Sequence, residues 1–312
     1  MIGTFRVGLL ITERCNIECA HCWLGSGPDR GATMDMEDAH GFIAQAGEIP
    51  TVEWISLTGG EPFLYPELLE ASVRCASEKG LRTECVTNCY WAGTEQEAEE
   101  ALGRIVEAGL DVINMSADDF HQRHIHFERV GNCYRAARSL GLKVVVMCAA
   151  ARSSALRANE VKILLGDGDI QILGAGEPGP KAQAIIIEDA FIPVGRGAEI
   201  PEEEWLAGES PVGGPCNLAL RDIGISPSGG VLPCCSAASL VGEARLGNAR
   251  EESLAKILKR AARRPLFMAL NKDGPSVLAE KLSLKESGYV SRCHLCHDVL
   301  VNPGLDRILM EY

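Results

Sequence analysis

The chain has 312 residues, 46% hydrophobic and 23% charged, enough for one large globular domain or a domain of about 200 residues with a smaller appendage. Its formal charge of −13, from 30 basic and 43 acidic residues, argues against nucleic acid as the main ligand, because phosphate recognition needs a positive surface. The most apolar run, "VVVMCAAA" at 144–151, is far shorter than the roughly 20 residues of a membrane span, and the N-terminus lacks a charged signal region, so a cytoplasmic protein is expected.

Strand-like and helix-like runs alternate from residue 5 to about 190. "FRVGLLIT" (5–12) reads as a strand, and a helix follows near 35–48 with acidic residues in its first turn. "VEWISLT" (52–58) is the second strand, ending in Gly59-Gly60-Glu61-Pro62, and the helix over 66–79 stops at Gly80. "LRTECVT" (81–87) is the third strand, and Thr94 with Glu97 forms a capping box for the helix that ends before Gly109. "DVINMS" (111–116), a helix near 130–140, "KVVVMCA" (143–149), a helix near 154–165 and "DIQIL" (169–173) complete the series. Six βα units with short loops predict an α/β fold, a partial TIM-like (β/α)6 barrel over residues 1–198. A Pro/Gly/Glu-rich connector at 199–215 opens a second unit, residues 199–312, with a hairpin at 222–235 and helices near 251–263 and 275–286.

Thirteen cysteines, an odd number in clusters, point to metal or iron–sulfur ligation and not to a disulfide framework. "CNIECAHCW" sets Cys15, Cys19 and Cys22 at C-x3-C-x2-C directly after the first strand. Three thiolates on one loop can hold three irons of a [4Fe–4S] cube and leave the fourth open, whereas a closed zinc site prefers four ligands. His21, between two of them, reads as a loop residue. The second unit supplies Cys216, Cys234, Cys235, Cys293 and Cys296. Four thiolates suffice for one closed [4Fe–4S] cluster, with a zinc ribbon as the alternative. One of the adjacent pair Cys234 and Cys235 is therefore spare. Neighbours on a strand face opposite ways, which leaves open which of the two is the ligand. Cys75, Cys85, Cys89, Cys133 and Cys148 fall in helix or strand patterns and read as small core residues, Cys89 at the barrel mouth being the one to follow.

The triad together with "LTGGEPF" (57–63) resembles the radical S-adenosylmethionine (radical SAM) superfamily. That resemblance implies that SAM chelates the open iron through its amino and carboxylate groups. It also implies that Gly59, Gly60 and Glu61 contact the SAM amino group, that Trp23 lies near the adenine, that Asn88 and Ser116 meet SAM and substrate, and that Arg196 lies near the methionyl carboxylate. The second unit resembles the twitch and SPASM extensions of these enzymes, with one auxiliary cluster. Across nearly the whole chain, "TNCYW", "SADDFH", the isolated Cys216, "PCCS" and the terminal C-x2-C make it similar to YydG-type peptide epimerases. This likeness implies cleavage of SAM to a 5′-deoxyadenosyl radical, removal of a peptide Cα hydrogen, and return of a hydrogen from the Cys235 thiol. Cys234 would then be the cluster ligand and Asp222 an acidic residue near the peptide. The partners implied are a precursor peptide and an electron donor such as flavodoxin or ferredoxin. A peptide-crosslinking (thioether) enzyme, a small-molecule dehydrogenase and a zinc-binding interaction protein are the alternative readings.

Overall fold

The computed structural model describes residues 3–174, 182–208, 212–285 and 287–310. The first half is a regular βα series: β1 (Arg6–Thr12), α1 (Met36–Gly47), β2 (Trp54–Gly59), α2 (Pro66–Glu78), β3 (Arg82–Thr87) and α3 (Glu95–Ala108). It continues with β4 (Val112–Ser116), α4 (Asp119–Gln122), α5 (Phe127–Ser139), β5 (Lys143–Ala150), α6 (Ala158–Leu165), β6 (Gln171–Gly174) and β7 (Ala184–Ala190). Then come β8 (Asp222–Ile225), β9 (Gly230–Leu232), β10 (Gly247–Asn248), α7 (Leu254–Ala261), α8 (Pro265–Lys272), α9 (Pro275–Lys281), α10 (Arg292–Leu300) and α11 (Leu305–Leu309).

Local chemistry sets these boundaries. Thr94 accepts from the Glu97 amide while Glu97 reaches back to the Thr94 amide, and Gly109 ends α3 in the left-handed region at φ 111°. Asp35 caps α1, Asp118 caps α4, and Ser291 caps α10, the helix that carries Cys293 and Cys296 one turn apart. Among the described residues, no helix is long and apolar enough to cross a membrane.

One ten-stranded sheet runs through the protein in the order β10-β9-β8-β1-β2-β3-β4-β5-β7-β6. Every pairing from β8 to β6 is parallel; only β8–β9 and β9–β10 are antiparallel. Six parallel strands, β1 to β5 and β7, form the partial barrel. The sixth place differs from the sequence reading. Segment 169–173 does form a strand over its later residues, but among the described residues β6 is an edge strand paired only with β7, which itself lies beside β5. Burial explains the choice: Ala184 and Ile186 are buried, whereas Gln171 and Ile172 are exposed.

The hairpin of the second unit also differs from a free-standing appendage. β8 continues the barrel sheet by pairing with β1, Arg6 opposite Asp222 and Gly8 opposite Gly224. Val7, Leu9 and Ile11 face the helices and are fully buried. Arg6 and Gly8, on the other face, look into the barrel together with Glu84 and Asn114, which are joined by Arg6–Glu84 and Asn114–Glu84 hydrogen bonds of 2.9 and 3.2 Å. Because β1 is central and Leu9 lies wholly in the core, Leu9→Ala should cost about 2–5 kcal/mol, read as a lower denaturant midpoint with an unchanged slope.

Candidate active site

The loop after β1 carries the cysteine triad and is stitched at several points. Glu13 N–H donates to Ala32 O at 2.7 Å, Cys15 N–H to Gly27 O at 3.1 Å, and Cys22 N–H to Cys19 O at 3.1 Å. The turn after β2 is locked to this loop: Gly60 N–H donates to Thr12 O at 2.7 Å and Glu61 N–H to Arg14 O at 2.9 Å. The approach is so close that a Cβ on Gly59 would lie 2.2 Å from Thr12 O, and one on Gly60 would lie 1.9 Å from Arg14 O. Only glycine fits there.

Cys15, Cys19 and Cys22 line one cavity of about 360 Å³ at the carboxyl ends of the strands, a size that suits a small cofactor. Trp23, Gly59, Gly60, Asn88, Ser116 and Arg196 line the same cavity, so the structure gathers six of the seven residues expected to meet the cofactor. Glu61 is turned away. Its fully buried carboxylate accepts from Thr87 Oγ1 (2.9 Å), the Phe63 amide (3.0 Å) and the Asn88 amide (2.8 Å). Burial pushes its pKa up to about 7 against the pull of these donors. Glu61 therefore ties the β2 turn to the end of β3, and its backbone, not its carboxylate, is what meets the triad loop. The Arg196 guanidinium is likewise engaged on the loop itself, donating to Cys19 O at 3.1 Å and Ser26 O at 2.6 Å.

Three side chains stand close behind the triad. Asn88 Nδ2 lies 3.7 Å from Cys15 Sγ and donates to Asn16 Oδ1 at 2.9 Å. The His21 ring stacks on Phe120 at 4.4 Å and meets His121 edge-on at 5.0 Å. Burial pushes the His21 pKa down to about 4 and that of the Cys15 thiol up to about 12. A larger cavity of about 690 Å³ lies on the outer side of the loop, lined by Ala20, Phe120, Arg123, Arg196, Glu199 and Glu204 among others, but none of the cysteines reaches it.

The second cysteine set closes around a separate, small cavity of about 90 Å³ lined by Cys216, Cys234, Cys293 and Cys296. Burial pushes the Cys234 thiol up to about 12, with Cys293 and Cys216 the next contributors. The Cys296 thiol is raised well above the usual range by burial and then by Cys234, Cys216 and Cys293. Four thiols packed on one apolar cavity are a donor set that fits a closed cluster, whose binding requires and releases their protons. His294 stays off this cavity, held between Trp205 and Tyr289 at 5.1 and 5.0 Å.

Cys235 points the other way. Its amide donates to Asp222 O at 3.0 Å, and its thiol lies 3.3 Å from Ile223 O. A Cβ on Gly8 would come within 2.8 Å of Cys235 Sγ, so the thiol rests against the inner face of β1. The Asp222 carboxylate is paired with Arg6 and reaches the Cys235 thiol. Burial, with the Asp222 charge beside it, raises the thiol well above the usual range, so Cys235 keeps its S–H at neutral pH. Sequence reading passed over Arg6, Gly8, Glu84 and Asn114; a glycine and an arginine inside an otherwise apolar strand are the signal that marks a close approach and a buried partner. Cys89 is fully buried, its backbone at φ 64° and its thiol against Cys133, a core position and not a site residue.

Comparison with known proteins agrees with this geometry. Residues 9–150 match the radical SAM superfamily, and residues 216–298 match SPASM, an iron-sulfur cluster-binding domain. YydG of Bacillus subtilis (strain 168), whose name assigns it to peptide biosynthesis, is 22% identical over 132 residues, 42% of this chain and 41% of that protein. The PqqA peptide cyclase of Methylocella silvestris is 28% identical over 284 residues, 80% of this chain and 72% of that protein. The chain thus spans less than half of YydG and about seven tenths of the cyclase. The crystal structure of BtrN in complex with AdoMet and 2-DOIA shares the fold, with a TM-score of 0.56 over 94% of this chain and 97% of that one at 15% identity. SAM and two iron–sulfur clusters are accordingly the cofactors of this architecture, and the chain offers two cysteine-lined cavities, one with three thiols and one with four.

Cys293→Ala should lower the iron content from about eight to about four per chain. Cys235→Ala should leave it unchanged, as measured by iron and sulfide analysis of anaerobically reconstituted protein; an equal loss in both variants would show that Cys235 is a ligand.

Proposed function

Because the chain belongs to the radical SAM superfamily and carries a SPASM iron–sulfur domain, we propose that it is a peptide epimerase, converting L-residues of a ribosomally made peptide to D-residues. The observation that carries this reading is the opposite orientation of two adjacent cysteines. Cys234 faces the four-cysteine cavity, and Cys235 faces the barrel interior with its thiol protonated.

When bound at the triad, SAM supplies a radical able to take a hydrogen atom from a peptide Cα. The chain's own residues do the rest. The backbone of Gly59 and Gly60 offers close-range contacts without side-chain obstruction, and Asn88, Ser116 and Trp23 bound the space above the strands. The Cys235 S–H bond then breaks to form the new Cα–H bond on the opposite face. The sulfur is left one hydrogen short, and restoring the thiol takes one electron and one proton. Cys234, the chain neighbour of Cys235, lines the four-cysteine cavity, and a cluster held there would supply the electron. Asp222, held by Arg6 against the thiol, orients Cys235 and carries the adjacent negative charge that keeps its proton in place. A precursor peptide is the substrate partner, and clusters held at the two cysteine sites would take their electrons from a low-potential donor such as flavodoxin or ferredoxin. Free thiols and reduced clusters suit the cytoplasm.

The extended match to a peptide cyclase favours a second reading, a carbon–carbon or thioether crosslink in the peptide, in which Cys235 would be a spectator. Turnover in D2O separates the two. Epimerisation should add one deuterium at each inverted Cα, and Cys235→Ala should keep both clusters and still cleave SAM yet release no D-residue. A crosslinked product without Cα inversion, formed equally well by Cys235→Ala, would overturn the epimerase reading.

A further inference from the structure

We propose that Asp189 decides which peptide the cavity accepts, by pairing with a cationic side chain, lysine or arginine, beside the residue that reacts. The inference rests on the peptide-modifying reading and adds to it a charge requirement on the substrate.

The two faces of β7 meet different surroundings. Ala184 and Ile186 are buried on one face. Glu188 turns the same way, accepting from Arg157 Nε at 2.9 Å and from the Ala158 amide at the start of α6 at 2.7 Å. Neighbours on a strand alternate, so Ile185, Ile187 and Asp189 face the barrel interior. The register agrees: on β5, Met147 stands opposite Ile187 and Ala149 opposite Asp189. Met147, Ala149 and Asp189 all line the triad cavity. Met147 is 39% exposed, so this wall is open and apolar up to the carboxylate at its end.

The other charged groups on that cavity are engaged. Asp118 holds His121 Nδ1 at 2.9 Å, and Arg196 donates to Cys19 O and Ser26 O. Asp189 accepts from the amide of Ala190, its chain neighbour, at 2.8 Å, and has no ion pair among the described residues. Partial burial raises its pKa, and no cation offsets that rise. A carboxylate so placed is stabilised most by a ligand that brings the missing cation. The amino and carboxylate groups of SAM would lie at the triad loop and the Gly59–Gly60 turn, on the β1–β2 wall, which leaves the β7 wall to the peptide.

The sheet order says where that peptide would sit. β7 and β6 end the sheet on one side and β8 to β10 on the other. Asp189 and Cys235, the latter resting against Gly8, therefore flank the open side of the partial barrel from opposite edges. A peptide entering between them would meet a thiol on one flank and an anion on the other. The long apolar stem of lysine or arginine suits the Met147 wall, and its charged end suits Asp189.

The test uses a randomised pool of N-acetylated, C-amidated hexapeptides, retained anaerobically by the immobilised, reconstituted full chain with SAM present, at about 0.15 M salt to screen distant charges. Peptides kept by the wild-type chain should be enriched in lysine and arginine up to about five-fold over the input, the ratio an accessible ion pair yields. Asp189→Asn should abolish the enrichment, and Asp189→Glu should restore part of it. Glu202→Gln removes the same charge from an exposed position and should keep it, which separates the site from the overall charge of −13. Iron content and the binding of labelled SAM should be alike in all four proteins. Peptides retained by the wild-type chain without charge preference, or an enrichment that survives Asp189→Asn, overturn the proposal and leave the peptide-modifying reading standing. Weaker SAM binding in Asp189→Asn also overturns it and assigns the carboxylate to the cofactor. Retention of no peptide at all overturns both.

Discussion

The parallel pairing of β8 with β1 is the contact on which the arrangement depends. The two strands are 216 residues apart in the chain where Arg6 meets Asp222, so the pairing closes a very long loop. The ion pair at its start is mostly buried, with the Asp222 side chain 4% exposed, and Glu84 adds a second carboxylate to the same guanidinium. Removing a single partner from such a group strands a buried charge, so the pair acts as a register lock as much as a source of stability. Once β8 is in register, β9 follows by a hairpin and the Cys234–Cys235 step falls at the boundary between the barrel interior and the packed helices of the second unit.

That boundary organises the chemistry. On one side lie β1, the triad loop and the inner face of the barrel. On the other, α8, α9 and α10 pack around the four-thiol cavity, with Cys216 tethered by its amide to Leu270 O at 2.8 Å. Two adjacent residues of one chain thereby touch two different compartments. No other pair of neighbouring cysteines exists in the sequence. The first site is built chiefly from backbone: its loop is held by amide–carbonyl bonds and by glycines whose missing Cβ atoms permit contact. The rigidity that a cofactor requires thus resides in the scaffold, and the side chains around it are free to tune it.

Much of this was legible in advance because it is written in local pattern. The C-x3-C-x2-C loop, the Gly-Gly turn after β2, the Thr94–Glu97 cap and the terminal C-x2-C each occupy a few consecutive residues, and the structure has them where the pattern predicts. Glu61 was not legible in the same way. Its position in the motif implies a contact with SAM, but its partners Thr87 and Asn88 lie 26 and 27 residues further on, and their donors draw the carboxylate inward. The exchange of β6 for β7 has a similar cause: a four-residue strand with exposed side chains cannot hold an interior place against one whose buried face is apolar.

The sequence by itself determined the donor types, their spacing, the βα alternation and the surplus thiol at Cys234–Cys235. These follow from covalent order and from side-chain chemistry within one turn or strand. Only the tertiary structure decided which of those two thiols faces the four-cysteine cavity, that Asp222 answers Arg6, and that Gly8 makes room for Cys235. The sequence reading places the pair on a strand, but β9 ends at Leu232 and both cysteines lie in the bend beyond it, so the side to which each turns is set by that bend and by which strand β8 pairs with and in what register. That choice rests on long-range burial and ion pairing, which no local stretch of the chain contains.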